Sequence, residues 1–488
     1  MNHFNPIKLE QASPRRGSYP LNDATASHGL IIFPVLYFGI TALIAFIPGL
    51  GKVLNIGFPI YSFILACVLY VRSPAQYVGF MWWMWFFTPL IRRIADYRSG
   101  FTEPSPMLLA PYLVSLVTLL PLYRNLAKSS KLNVTPFIPA VVAVIYGCFV
   151  GLLNRPVFIV LRETMDWLSP LSVGFYLAIH WRAYPEFRRT IETVFTWGIL
   201  VMGVYGIYQF IELPPWDRSW LIESKMFGAA GHPDGDGPIR VWGTMQSGEP
   251  FSGFLAGGLL VLALNRRLLA LPASIAGFLT FLLTLVRSGW LGWLGGMIIL
   301  LGSLKAQQKI RLILIGLVLC AGVLWLSGLE PFSTAIWTRL DSLKSVTEDS
   351  SATGRAAYFN NTIDSAISSF LGEGIGGGTF DNFILASLFN LGWIGTILYT
   401  SGLGMLVWRV FNPNRIIHDR FFAVCRAVAA TVLLRMPVNG ACLGISGIIL
   451  WGFLGLAIAS AQYETYQRSL AQSIDPPSSD INLPSAAV

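Results

Sequence analysis

The side chains in this sequence with the most to offer chemically are arginines. Eleven of them, Arg92, Arg93, Arg98, Arg155, Arg162, Arg218, Arg240, Arg287, Arg339, Arg355 and Arg435, fall on one side of the topology drawn below, with only Lys52, Lys225 and Lys344 for company. A charge placed for solubility can be either residue. A guanidinium adds a planar fork of donors matched to phosphate oxygens, so the bias towards Arg points to an anion site. Arg287, in LTLVRSGWLGWLGG, lies between two apolar runs. A cation there costs about 2.5–3.5 kcal/mol if drawn to the centre of a bilayer, which marks it as functional unless it snorkels to a headgroup. Arg435, in LLRMPVNG, has the same two readings. Arg92, Arg93 and Arg98, in TPLIRRIADYRSGF, follow an aromatic belt of Trp82, Trp83, Trp85, Phe86 and Phe87. They serve either anion binding or an ion-pair network with Asp96 and Glu103.

Other groups carry weaker signals. Glu163 and Asp166 form a candidate outward-facing pair inside an apolar stretch, and Asp381 follows the glycine cluster Gly372, Gly374, Gly376, Gly377 and Gly378. That cluster has no Lys-Ser/Thr after it and no strand before it, so it is no nucleotide cradle; it lets the loop backbone approach the membrane or a sugar closely. His232 is the one outer histidine and reads as a turn residue, as do Asp234 and Asp236, which lack the length and terminal Glu of a calcium loop. Cys67, Cys148, Cys320, Cys425 and Cys442 sit in apolar runs with no metal or disulfide spacing.

The elements that must hold these residues are set by composition. Of 488 residues 54% are apolar and 12% charged, and the mean hydropathy is +0.59, which excludes a soluble multidomain enzyme and a disordered chain. The fold class expected is all-α, a polytopic transmembrane helical bundle of about 12–14 spans. It divides into a cytoplasmic tail (1–28), an N-terminal bundle (29–212), a first long outer loop (213–249), further spans (250–328), a second long outer loop with a short amphipathic helix (329–381), C-terminal spans (382–460) and a second tail (461–488). With both termini in the cytoplasm, 20 of the 34 Lys and Arg face inward, including one or more in every short inner turn. The net charge of +9 is then an orientation signal, and no nucleic-acid partner is expected.

Three stretches resemble one known family. IRVWGTMQSGEPFSGFLAGGLL, LTLVRSGWLGWLGG and SSATGRAAYFNNTIDSAISSFLGEGIGGGTFDNFILASLFNLGWIGTILY look like the O-antigen ligase and O-antigen polymerase superfamily, over about 240–400. The resemblance implies a plasma-membrane glycosyltransferase of the type C kind. Such an enzyme moves a glycan from a polyprenyl diphosphate carrier to a hydroxyl of a glycan or lipid acceptor, without metal, cofactor or nucleotide sugar. It builds exopolysaccharide, capsule or O-antigen, with a flippase and a chain-length regulator as partners. By position, Arg287 and Arg355 would hold the donor diphosphate with Arg240 as a third; Arg92, Arg93, Arg98 and Arg435, candidates from the residue reading above, would add to the substrate site. Asp381 stands where many relatives have a His and would be the catalytic base. The rival expectations are a transporter of a small anion such as bicarbonate and a non-catalytic subunit of an assembly complex.

Overall fold

A computed structural model describes residues 23–126, 134–233, 239–326, 328, 363–364, 366–378, 380, 382–412, 417–438 and 443–474. The N-terminal bundle is α1 (Asp23–Ala45), α2 (Leu50–Arg72), α3 (Pro74–Ser99), α4 (Ala110–Leu116), α5 (Leu119–Asn125), α6 (Phe137–Asn154), α7 (Val157–Ile179) and α8 (Tyr184–Glu212). Two short helices, α9 (Pro215–Ser224) and α10 (Phe227–Ala230), occupy the first long loop. The remainder is α11 (Gly248–Ala263), α12 (Ala270–Leu283), α13 (Arg287–Gly302), α14 (Ala306–Leu326), α15 (Phe383–Phe411), α16 (Arg420–Leu433) and α17 (Gly444–Ile474). No strand occurs among the described residues.

Six segments are long and apolar enough to cross a membrane: Leu50–Arg72, Pro106–Asn125, Phe137–Asn154, Trp181–Glu212, Phe383–Phe411 and Gly444–Gln472. The outer surface of the bundle is what a lipid-facing wall requires: Val53, Ile56 and Leu43 are 65%, 64% and 70% exposed although apolar. The chain is therefore a polytopic helical membrane protein. The sequence predicts more spans than these six. α3 and α7 run 26 and 23 residues, but α3 carries Arg92, Arg93, Asp96 and Arg98, and α7 carries Arg162, Glu163 and Asp166. Arg92, Arg93 and Asp96 are buried in the bundle, where such residues are tolerated at membrane depth, whereas Arg98 and Arg162 are exposed.

The aromatic run of α3 differs from expectation. Trp82, Trp83, Trp85, Phe86 and Phe87 are all buried, so they form core and not an interfacial belt. Small residues opposite make the room: a Cβ on Gly198 of α8 would lie 2.6 Å from the Phe86 ring. Trp82 meets Phe195 of α8, Phe254 of α11 and Phe453 of α17 with ring centroids 5.0, 6.1 and 6.1 Å apart, so one indole ties four helices together.

The crossing of α7 and α17 is closest at glycine. A Cβ on Gly455 would sit 2.2 Å from the Gly174 carbonyl oxygen, and one on Gly174 would sit 2.5 Å from that of Trp451. Small residues let helix backbones meet in lipid, where the apolar surroundings give no hydrophobic drive for association. Gly455→Ala is expected to cost about 1–3 kcal/mol by overpacking, seen as a lower melting temperature in detergent, whereas alanine at Gly404, which has open space beside it, should leave the melt unchanged.

Two helices are interrupted. The predicted span 107–123 is a 3-10 turn (Pro106–Leu109) followed by α4 and α5, seven residues each, with Pro111 and Pro121 inside them. α15 breaks at Gly392, whose φ of 63° and ψ of −172° no helix contains. In an unbroken helix the Trp393 amide would bond to the Phe389 carbonyl. Here Trp393 N–H donates to Phe370 O at 3.0 Å, and Phe389 O accepts from Glu373 N–H at 2.8 Å. The glycine-rich segment 370–378 is thus inserted into the break, supplying the partners that irregular backbone in a membrane protein must find. Its other side lies on α6, where Ile375 N–H donates to Gly147 O at 2.9 Å. Gly374, at φ 84°, has no room for a Cβ, which would be 2.2 Å from the Gly151 amide nitrogen. The closest contacts these glycines make are with the backbones of α6 and α15, where the sequence suggests the membrane or a sugar.

Candidate functional site

The end of the bundle that gathers α7, the start of α11, Gly378, Phe380 and the start of α17 forms an open cavity of about 340 Å³. Its polar lining includes Tyr112, Glu163, Asp166, Glu249 and Asn390, and Trp167 and Phe380 give it aromatic walls. A second cavity of about 240 Å³ shares Tyr112, Asp166 and Ile445 and adds Arg162, Glu103 and Gln246. Asp166 therefore stands on the wall common to both. Tyr112 Oη donates a hydrogen bond to its Oδ1 at 2.5 Å, which fixes the carboxylate's rotamer. Gly444, at φ 48°, leaves space beside the same oxygen, since a Cβ there would be 2.7 Å from it. Glu163 pairs with Arg162 at 3.1 Å.

Each carboxylate is placed by local sequence. Glu163 and Asp166 are three residues apart on α7, hence on one helical face. Glu249 lies in the first turn of α11, after Ser247, where an acidic side chain suits the helix dipole. Its carboxylate accepts from Arg435 Nη2 at 2.6 Å. Arg435 itself is 2% exposed and threads between α11 and α13, where Gly253 and Gly292 leave room for its side chain.

Arg240, Arg287 and Arg435 stand around the start of α11. Val241 N–H donates to Leu283 O at 3.0 Å, which holds the Arg240 segment against the turn from α12 to α13. Arg287 is the first residue of α13. A Cβ on Gly248 would be 3.3 Å from Val241 O and 3.5 Å from both Thr284 O and Val286 Cγ2, so the three backbones meet at Gly248. Arg240 and Arg287 are half-buried, neighbours of the cavity rather than part of its wall. Arg355 and Asp381 lie outside the described residues; Phe380 and Asn382 flank Asp381 in the chain, and Phe380 lines the cavity.

Two expected anion ligands have other occupations. Arg93 is 0% exposed, its Nε lies 2.8 Å from Asp217 Oδ1, and its two terminal nitrogens donate to the carbonyls of Gly243 and Met245. All of its charge is spent inside the protein, so it pins the first long loop and offers nothing to a ligand. Burial pushes the Asp217 carboxyl above its ordinary range, while Arg93 and hydrogen bonds from Tyr205 (2.8 Å) and Gln209 (2.5 Å) pull it back. Arg92 is 1% exposed and bonds to Asp96 (3.0 Å), Glu103 (2.7 Å) and Thr102 O (2.7 Å): of its two readings, the ion-pair network is the one formed. Arg98 is exposed, its guanidinium 5.9 Å from the centre of the Phe46 ring, and lines neither cavity.

Tyr112 and Glu249 escaped the sequence reading. Glu249 carried one signal: Ser247-Gly248-Glu249-Pro250 marks a helix start with an acid in its first turn. Tyr112 carried none. No set of three or more Asp, Glu, His or Cys among the described residues is grouped closely enough to hold a metal ion. No known family profile matches the chain, and no curated protein matches it.

Proposed function

We propose that the chain is a membrane glycosyltransferase that moves a glycan from a polyprenyl diphosphate to an acceptor hydroxyl at the outer face of the plasma membrane. The observation that carries this reading is the pair of adjacent cavities sharing Tyr112, Asp166 and Ile445, walled by carboxylates and aromatic rings, with Arg435 bonded to the lining Glu249 and the Arg240 and Arg287 backbones meeting at the start of α11. The acceptor oxygen would attack the anomeric carbon as the bond to the diphosphate breaks, and its proton would pass to a carboxylate. Charge then grows on the diphosphate. Guanidinium groups already in place stabilise that state more than the bound substrate. Asp166, held by Tyr112 on the wall common to both cavities, joins Asp381 as a candidate for the base. The resemblance of 240–400 to O-antigen ligases and polymerases supports the same reaction.

The test is complementation of a glycan-deficient deletion strain. Arg287→Ala and Arg355→Ala are each expected to lower transfer about 10²–10³-fold and to leave carrier-linked repeat units accumulating. Normal polymer from both variants at wild-type expression would remove the proposal. A second reading, passage of a small anion, is favoured by the interrupted helices at 106–125 and Gly392, since broken helices build the midplane sites of transporters. Uptake of labelled bicarbonate into liposomes containing the purified chain, with no transfer of glycan, would decide for it.

A further inference from the structure

At the other end of α11 and α16 a second pair of cavities opens, about 450 and 290 Å³, sharing Leu264, Arg266 and Arg420. Their charged lining is Arg188, Arg266, Arg267, Arg420, Lys305 and Arg311 against a single carboxylate, Glu192. That carboxylate is already engaged by Arg188 at 2.9 Å, and Arg188 also bonds to Asp419 at 3.0 Å. Arg267 donates to Thr193 Oγ1 at 2.5 Å. Arg420 is braced by Gln308, whose amide oxygen, turned towards it, accepts from its Nε and Nη2 at 2.8 and 3.2 Å. Among the described residues, no carboxylate lies within ion-pair distance of Arg266, Arg420, Lys305 or Arg311.

All four of these cations are exposed, as charges that orient a membrane protein are. These four come from three separate parts of the chain, the α11–α12 turn, the start of α14 and the start of α16, and are folded around one space. The starts of α14 (21 residues) and α16 (14 residues) both line it, which adds the positive ends of two helix dipoles. Such a space is built for an anion.

The neighbouring residues say where the anion comes from. Leu268, one residue beyond Arg267, is 95% exposed; Ile310, beside Arg311, is 59% exposed, and Ile313 and Leu314 follow at 51% and 56%. Apolar side chains left bare next to the cations place them at the boundary where acyl chains end and headgroups begin. We infer that this basic cavity binds the phosphate of an anionic phospholipid, its acyl chains lying along the exposed apolar residues of the α11–α12 turn and α14. The assignment is independent of the reaction proposed for the opposite end.

The experiment uses the full chain purified in a neutral detergent and titrated with phosphatidylglycerol, phosphatidylcholine or glycerol 3-phosphate, read by melting temperature and by retained lipid in native mass spectrometry. Phosphatidylglycerol is expected to raise the melting temperature and to remain bound, and the other two are not. Arg266→Ala/Arg420→Ala should weaken that binding about tenfold or more, whereas Arg266→Lys/Arg420→Lys should keep most of it, because the phosphate is bound mainly through charge. Because both arginines are exposed, the alanine variant should melt like wild type without lipid; if it does not, Arg311→Ala/Lys305→Ala provides the same test. Equal binding of phosphatidylglycerol by wild type and the alanine variants would overturn the site. An equal response to glycerol 3-phosphate would overturn the lipid and leave a site for soluble anions.

Discussion

Arg93→Ala is expected to lower the unfolding free energy of the detergent-solubilised protein by about 3–5 kcal/mol, the usual consequence of removing one partner from a fully buried ion pair. The substitution strands the Asp217 carboxylate and takes the donors from the carbonyls of Gly243 and Met245. Arg93→Met/Asp217→Leu should recover much of the loss, because it removes the stranded charge along with its partner. The pH dependence has a definite sign. Burial already pushes Asp217 up, and Arg93 opposes it, so without Arg93 the folded-state pKa climbs further above the unfolded value. The folded variant then binds more protons than the unfolded chain, and its stability falls as the pH rises through that elevated pKa. The deficit relative to wild type should therefore be smallest in acid. A melting curve of Arg93→Ala that overlays wild type from pH 5 to 8 would show that the pair contributes nothing.

Asp166→Asn is expected to lower glycan transfer about 10²–10⁴-fold, the range of a lost general base, while the protein remains folded, since asparagine keeps the shape and can still accept from Tyr112. Tyr112→Phe, which leaves the carboxylate but not its bond, should cost about tenfold, equivalent to ~1.4 kcal/mol of orientation. The readout is release of polyprenyl diphosphate by purified protein. Full activity in Asp166→Asn together with its loss in Asp381→Asn would move the base to Asp381.

What could be read from the chain in advance followed from short-range pattern. The apolar runs 53–71, 134–153 and 190–212 became α2, α6 and α8 with ends displaced by a few residues, because hydropathy at that length has one physical answer. The predicted ion-pair alternative for Arg92 also rested on neighbours, Asp96 and Glu103, within one helix and the turn after it. Arg93 stands next to Arg92 in sequence, yet its carbonyl partners are 152 and 150 residues away, and nothing local distinguishes the two. Arg435 and Glu249 are separated by 186 residues. The carboxylate-lined cavity is assembled from such distant pairs, so single residues could be suspected but not their meeting. The aromatic run of α3 failed for a related reason: tryptophan suits both a membrane interface and a core, and the choice was made by glycines on other helices.

The break at Gly392 makes the 370–373 backbone a working part of α15. Phe389 O and Trp393 N–H would satisfy one another in a straight α15, and each is instead bonded to the 370–373 backbone. Lifting that segment away bares both groups at about 1–3 kcal/mol apiece unless the helix straightens and closes its own bond. Detachment of the segment is therefore costly on its own and cheaper when α15 straightens with it. The 370–373 backbone is thus a structural part of the helix it interrupts, holding the two halves of α15 together across the break.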